Sequence, residues 1–268
     1  MIILLVLVNI NACKKDDTVA VPPTPTNSSC KISKIDYGGG EYETYTFNGS
    51  AQVTQQDGYF KDDNGKIQHS SATFTYDASG LVVGSSYGGS EKYSYVNGAL
   101  SVIEVFDDKN KSVYKIAVTT DANKRIVGMK DSDNITSIIS RDAQGNFTKS
   151  EVFDAKNNLL QREEISSYDG KKNWRISLKG WSLDISSPYT SYIYYGGNFN
   201  EPSGGSNDDK LYSVFDKDGN NTGKLILVYN YAFTKQFNSI GFPTQITLKD
   251  AVDASNNSTR TYSYSDCQ

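Results

Sequence analysis

The sequence predicts an all-β protein, a long antiparallel up-and-down meander of roughly 16 to 20 strands. Three observations carry that expectation. Apolar and polar residues alternate with a period of two through much of residues 30–268, turns of one chemistry recur between the alternating runs, and no stretch sustains a helical period.

The turns read Asp or Asn, two residues, then Gly, Asn or Lys. Asp77-Ala-Ser-Gly80, Asp107-Asp-Lys-Asn110, Asp121-Ala-Asn-Lys124, Asp142-Ala-Gln-Gly145, Asp154-Ala-Lys-Asn157, Asp216-Lys-Asp-Gly219 and Asn238-Ser-Ile-Gly241 all fit. An Asp side chain at the first position accepts hydrogen bonds from backbone amides further on, while Gly or Asn tolerates the left-handed conformation that closes the loop. Asn48-Gly49 and Asn97-Gly98 read as tighter two-residue hairpin turns, which need positive φ at both central positions.

Between turns, Ala72-Thr-Phe74-Thr-Tyr76, Tyr93-Ser-Tyr95, Tyr114-Lys-Ile116-Ala-Val118 and Tyr262-Ser-Tyr264 place rings and aliphatics on one strand face and Thr, Ser or Lys on the other. That is the pattern of a half-buried sheet. Hydrophobic content is 37% and mean hydropathy −0.52, so a large aliphatic core is not expected. The 19 Tyr and 11 Phe supply bulky amphipathic rings in its place, and the core is expected to be aromatic with a wet rim.

Ahead of this region an apolar run, Ile2 to Val8, leads through Ile10-Asn11-Ala12 to Cys13 and then Lys14-Lys15-Asp16-Asp17. The run is too short to cross roughly 30 Å of hydrocarbon as a helix, so it reads as a processing signal over residues 1–12. It resembles a bacterial lipoprotein signal. The resemblance implies that Cys13 is diacylated, becomes the N-terminus and is acylated again with a fatty acid such as palmitate. At about 0.8 kcal/mol per buried methylene, two or three chains anchor a protein stably without spanning the membrane. Lys14 departs from the inner-membrane retention signal, and Lys-Lys-Asp-Asp resembles the export tags of Bacteroidota lipoproteins displayed outside the cell. The expected location is the cell outer membrane, facing outward. Residues 13–29, with Pro22, Pro23 and Pro25 in TVAVPPTPTNSS, form an extended tether that reaches up to roughly 50 Å.

Residues 30–268 are expected to form a single β domain. Tyr76-Asp77-Ala78-Ser79-Gly80-Leu81, with weaker copies at Tyr168-Asp169-Gly170 and Phe153-Asp154, resembles the tyrosine-aspartate repeat of the RHS family. The encapsulating function of full-length RHS proteins is not carried over, because the repeats are few and degenerate. Lipobox, tether and repeat together resemble Bacteroidota lipoproteins described as having a porin-like barrel fold, a family with no assigned activity. With Cys13 lipidated, Cys30 and Cys267 remain, and outside the cytoplasm an even remainder favours a disulfide. A bridge between the two ends requires the first strand to begin where the last one finishes, so the meander is expected to curl into a closed or nearly closed barrel. Lys92, Glu104, Lys115 and Arg260 lie on the polar strand faces, which favours a tethered soluble barrel over one that faces lipid.

The search for chemistry is mostly negative. A formal charge of −4 and a pI near 5.1 give no basic footprint, so no nucleic-acid partner is expected. His69, the only histidine, excludes a multi-histidine metal site within one chain and reads as a solvated surface residue. There is no Gly-x-Ser-x-Gly elbow, phosphate loop or HExxH. Asp62-Asp63-Asn64-Gly65 and Asp216-Lys-Asp218-Gly-Asn220 superficially resemble calcium loops but lack the terminal Glu, and turn chemistry accounts for both. No catalytic residue, metal or cofactor is expected. A carboxylate pair for glycoside hydrolysis stays open, since its spacing of roughly 5 to 10 Å is spatial rather than sequential.

Residues 171–210 break the repeat. They hold Trp174 and Trp181, then Tyr189, Tyr192, Tyr194 and Tyr195, then a loop from Gly196 to Asp209. Long loops tend to be functional, and flat aromatic faces suit sugar rings, so the segment 189–209 is the expected site for a glycan or another extracellular ligand, with Tyr192, Tyr194 and Phe199 as contacts. The two tryptophans share strand faces with Ile176 and Leu178, and with Leu183 and Ile185, which favours core roles for both. Two readings stand: a surface-anchored, non-catalytic ligand-binding lipoprotein, and a structural envelope or surface-contact protein without a small-molecule ligand.

Overall fold

The computed structural model describes residues 30–86, 89–172, 204–216 and 219–267. Among the described residues, eighteen strands run in chain order. They begin with β1 (Lys31–Gly38), β2 (Glu41–Phe47), β3 (Val53–Lys61), β4 (Ile67–Tyr76), β5 (Val82–Ser86) and β6 (Ser90–Val96). Next come β7 (Ala99–Phe106), β8 (Ser112–Thr120), β9 (Ile126–Asp131), β10 (Thr136–Arg141), β11 (Phe147–Phe153) and β12 (Leu159–Glu164). The last six are β13 (Tyr168–Lys172), β14 (Gly204–Ser206), β15 (Asp208–Phe215), β16 (Asn221–Phe237), β17 (Pro243–Asp250) and β18 (Ser258–Ser265). Sixteen close into one antiparallel barrel, and β13 with β14 makes a separate two-stranded ribbon. A single 3-10 turn at Ala254–Asn256 is the one helical element among the described residues.

The seam of the barrel is β1 against β18, with Lys31 opposite Ser265 and Ile35 opposite Tyr262. Just beyond it Cys30 and Cys267 are disulfide-bonded, their Cα atoms 4.2 Å apart. Every junction in the wall is antiparallel, so alternate turns share an end. The turns at 48–52, 77–81, 97–98, 121–125, 142–146 and 238–242 lie at the disulfide end, and those at 62–66, 107–111, 131–135, 154–158 and 216–220 lie at the far end.

The recurring turn has one mechanism. At Asp77 the backbone N–H donates to the Leu81 carbonyl at 2.9 Å and the Gly80 N–H donates back to the Asp77 carbonyl at 3.0 Å. The Asp77 carboxylate meanwhile accepts the amides of Ser79 and Leu81, both at 2.9 Å. Gly80 sits at φ +85°, and the equivalent place is taken by Asn110, Lys124, Asn157 and Gly219 at positive φ. Asn48 opens the same five-residue turn rather than the two-residue hairpin expected of Asn48-Gly49. Its side-chain oxygen takes the amides of Ser50 and Gln52 as an Asp carboxylate would, and Ala51 carries the positive φ. Asn97-Gly98 keeps positive φ at both positions, as expected.

The interior bears out an aromatic core only in part: among the described residues Tyr45, Phe74, Tyr93, Phe147, Tyr229, Phe242 and Tyr262 are buried, but the innermost positions are not aromatic. The largest fully buried side chains are Ile32, Ile35, Leu100, Ile103, Ile116, Ile126, Val53 and Val152, all aliphatic. The tyrosines ring this centre because a phenol must reach a polar partner, and their hydroxyls do so in a repeated way. Tyr76 donates to the Val53 carbonyl, Tyr95 to Val82 at 2.7 Å, Tyr168 to Phe147 and Tyr264 to Pro243 at 2.8 Å. Each acceptor is the first strand residue after a turn at the disulfide end. Several of them sit where the pairing register shifts, which takes the carbonyl out of the regular ladder. At the fifth such place Arg141 substitutes for tyrosine and donates to the Ile126 carbonyl through Nε at 3.2 Å and through its terminal nitrogen at 2.8 Å.

Candidate functional site

The residues expected to contact ligand, Tyr192, Tyr194 and Phe199, lie outside the described residues, as do Trp174, Trp181 and Cys13. The described flanks nevertheless fix where that connection leaves and rejoins the wall: β12 ends and β15 begins at the disulfide end. The ribbon there is tied to the wall by an ion pair from Lys235 Nζ to Asp169 Oδ2 at 2.6 Å, in which both side chains are largely buried.

Two clusters within the described residues carry chemistry. The first faces inward from β12 and β15–β18, where Glu163, Asp209 and Asp250 meet Tyr229, Tyr231 and Arg260; Arg260, expected on the polar strand face, instead shares the phase of buried Tyr262 and packs over the Tyr37 ring. Burial pushes the Asp209 carboxyl up to about 6, opposed by hydrogen bonds from Glu163 and from the Tyr229 hydroxyl, the latter at 3.5 Å. Burial also raises the Tyr37 phenol, and the Glu43 carboxylate adds to that, while the Arg260 guanidinium lies 5.1 Å over the Tyr37 ring. Asp250 behaves oppositely: burial acts to raise it, yet Asn256 and the amides of Asn230 and Val252 hold it below the usual carboxylate range. The Asp209 and Glu163 carboxyls therefore lie close together in the interior. Among the described residues no group of three or more His, Cys, Asp or Glu is placed to hold a metal ion.

The second cluster faces outward. Pairing places Asp36 opposite Tyr42, Tyr42 opposite Tyr59, and Tyr59 opposite His69, one row across β1 to β4 on the polar face. The rings form a ladder: Tyr42 stacks on Tyr59 at 4.5 Å, and Tyr59 on His69 at 4.8 Å. The Lys34 ammonium covers the outer face of the Tyr42 ring at 4.5 Å. At the other end His69 Nε2 lies 3.0 Å from Asp57 Oδ1, and its side chain is 51% exposed. Hydrogen bonds from Gln55, ahead of those from His69 and Ser71, hold the Asp57 carboxyl below its ordinary value. His69 is therefore on the surface, as the sequence suggested, but it belongs to an ordered stack. The missed signal was Tyr42 and Tyr59 standing in the polar phase of their strands.

The fold has structural counterparts. A porin-like protein from Bacteroides uniformis superposes with a TM-score of 0.59 at 10% identity, over 90% of this chain and 99% of that one. A porin-like protein from Bacteroides vulgatus gives 0.44 at 10% identity over 88% and 99%, and a Photorhabdus luminescens Tc holotoxin pore gives 0.33 at 11% identity over 82% and 11%; neither carries an argument. At this identity the first likeness shows the fold alone. No family model matches the chain, and no curated protein does.

Proposed function

We propose that the protein is a non-catalytic outer-membrane lipoprotein, held by acyl chains on Cys13 and facing outward, with the barrel as its displayed body. The observation that carries this reading is the polarity of the outward wall. Rows such as Lys34, Thr44, Asp57 and Ser71, or Gln55, Thr73, Ser86 and Ser90, cross the strands where a lipid-facing barrel needs an apolar band roughly 25 Å tall. A wall of this chemistry stays in water, so membrane attachment falls to the leader. The tether meets the barrel at Cys30, so in this reading the disulfide end is the one nearer the lipid and the Asp- and Asn-crowned far end the one further from it.

Within this reading the segment 189–209 captures a glycan or another extracellular ligand through Tyr192, Tyr194 and Phe199; the alternative is an envelope protein whose role is contact between surfaces. Two experiments test it. Mass spectrometry of the native polypeptide is expected to show a glycerolipid adduct on Cys13, and an unmodified leader would overturn the anchor. A glycan array is expected to give signals that a Tyr192→Ala, Tyr194→Ala variant loses. Signal unchanged in that variant removes the contact assignment, and no signal with the wild type favours the surface-contact role.

A further inference from the structure

The outer wall carries a second feature beside the aromatic ladder. Between β4, β5 and β6 lies an open hollow of about 320 Å³ lined by Thr73, Thr75, Gly84, Ser86, Ser90 and Lys92. Its floor exists because Gly84 has no side chain: a Cβ there would come within 2.9 Å of Thr75 Oγ1 and 3.2 Å of the Glu91 carbonyl. Thr73, Ser86 and Ser90 stand in one transverse row, Thr73 opposite Ser86 and Ser86 opposite Ser90. The row continues to Phe106, opposite Ser90, and the Lys92 ammonium lies 4.5 Å over that ring. The hydroxyls therefore line a hollow edged by a cation and an aromatic ring.

The ladder ends on β4, the strand that borders this hollow. His69 and Thr73 share the outward face of β4, four residues apart, which is about 13 Å at the usual strand rise. β5 pairs with β4 only from Thr73 to Tyr76, so no described strand residue stands opposite His69 on that side. One face of the imidazole is taken by Tyr59, and the side chain as a whole is 51% exposed. A ring face followed by a shallow bed of hydroxyls and one ammonium is the complement of an oligosaccharide, whose sugar rings offer apolar C–H faces for stacking and hydroxyls that both donate and accept. The volume is at the lower end of what small-ligand sites need.

We propose that the β4–β6 wall is an oligosaccharide-binding groove, with the exposed face of His69 as its stacking platform and Thr73, Ser86, Ser90 and Lys92 as its hydrogen-bonding bed. It shares the ligand class of the reading above but assigns a different place on the molecule, so the two fail separately. The test uses the full chain on a glycan array, followed by titration of the strongest hit. The variants are Ser86→Tyr, which fills the hollow, His69→Ala, which removes the platform, Ala117→Tyr on the outward face of β8 as a control, and Tyr192→Ala, Tyr194→Ala. Ser86 and Ala117 are exposed, and melting curves confirm that each variant is folded. The groove predicts binding at least about tenfold weaker for Ser86→Tyr, a smaller loss for His69→Ala, and wild-type affinity for both Ala117→Tyr and the double tyrosine variant. Wild-type affinity in Ser86→Tyr and His69→Ala overturns the groove, and if the double tyrosine variant alone loses binding the 189–209 site is retained. An equal loss in Ala117→Tyr, or no glycan bound by the wild type, overturns the groove as well.

Discussion

The two ends of the barrel use the same turns and differ in what holds them. At the disulfide end, Tyr76, Tyr95, Arg141, Tyr168 and Tyr264 each reach from one strand to the first carbonyl after a neighbouring turn, and Cys30–Cys267 closes the seam beside them. At the far end the turns at Asp62, Asp107 and Asp154 are exposed and are held by their own carboxylates and backbone amides. Asp131 and Asp250 depart from this: both are buried, Asp131 bonded to the Tyr114 hydroxyl as well as to the amides of Asp133 and Ile135, and Asp250 to the Asn230 amide of a neighbouring strand. One turn chemistry thus serves two settings: the disulfide end is latched strand to strand, while most turns of the far end hold themselves.

The largest effect should come from the seam. Replacing both Cys30 and Cys267 by Ser releases a loop of 237 residues and should destabilise the barrel by about 4 kcal/mol, a melting temperature lower by roughly 10 °C. The wild type under reductant should melt like the variant, and a variant that melts within a degree of the oxidised protein would show that the disulfide end owes nothing to its staple. Asp131→Ala comes next, at about 3 kcal/mol, because it takes the carboxylate acceptor from the half-buried Tyr114 hydroxyl and from the amides of Asp133 and Ile135. An unchanged melt would mean that the Asp131 turn is not exceptional.

The inward carboxyl pair gives a change of opposite sign. Asp209 has a folded-state pKa raised to about 6, so its neutral form suits the fold, and the stability it supplies is present below the unfolded value near 4 and is lost as pH rises through 6. Asp209→Asn should therefore raise stability at pH 7 by about 2 kcal/mol, with the gain shrinking to nothing by pH 4. Melts of the two proteins across this range check both the sign and the window, and a variant less stable at pH 7 refutes the assignment. The smallest effect should be Tyr95→Phe, about 1 kcal/mol for one hydroxyl latch, read in denaturant melts. A loss near zero would reduce the latches to incidental contacts.

Much of this architecture was legible because its determinants are local. Asp77 and Gly80 are three residues apart, and their roles follow from side-chain reach and φ, so the hairpins and the meander could be read directly. Closure was legible from two cysteines at the ends of the domain. The latches were not: Tyr76 was visible in a repeat, but its acceptor Val53 belongs to another hairpin, and only the register joins them. The aliphatic centre was missed because composition counts tyrosines without saying that each must keep its hydroxyl near a polar partner. The outward ladder and the pair Glu163–Asp209 depend on residues brought together across strands, which alternation alone cannot align.

In the function proposed above, the wall belongs in water and the leader alone holds the protein to the membrane. Expressing the full chain with Cys13→Ala in a bacterial host that lipidates the wild type tests it directly, by fractionating the cells and washing the membranes with carbonate. The variant is expected to be folded and soluble without detergent while the wild type stays with the outer membrane. A variant that remains in washed membranes and needs detergent for extraction would contradict it.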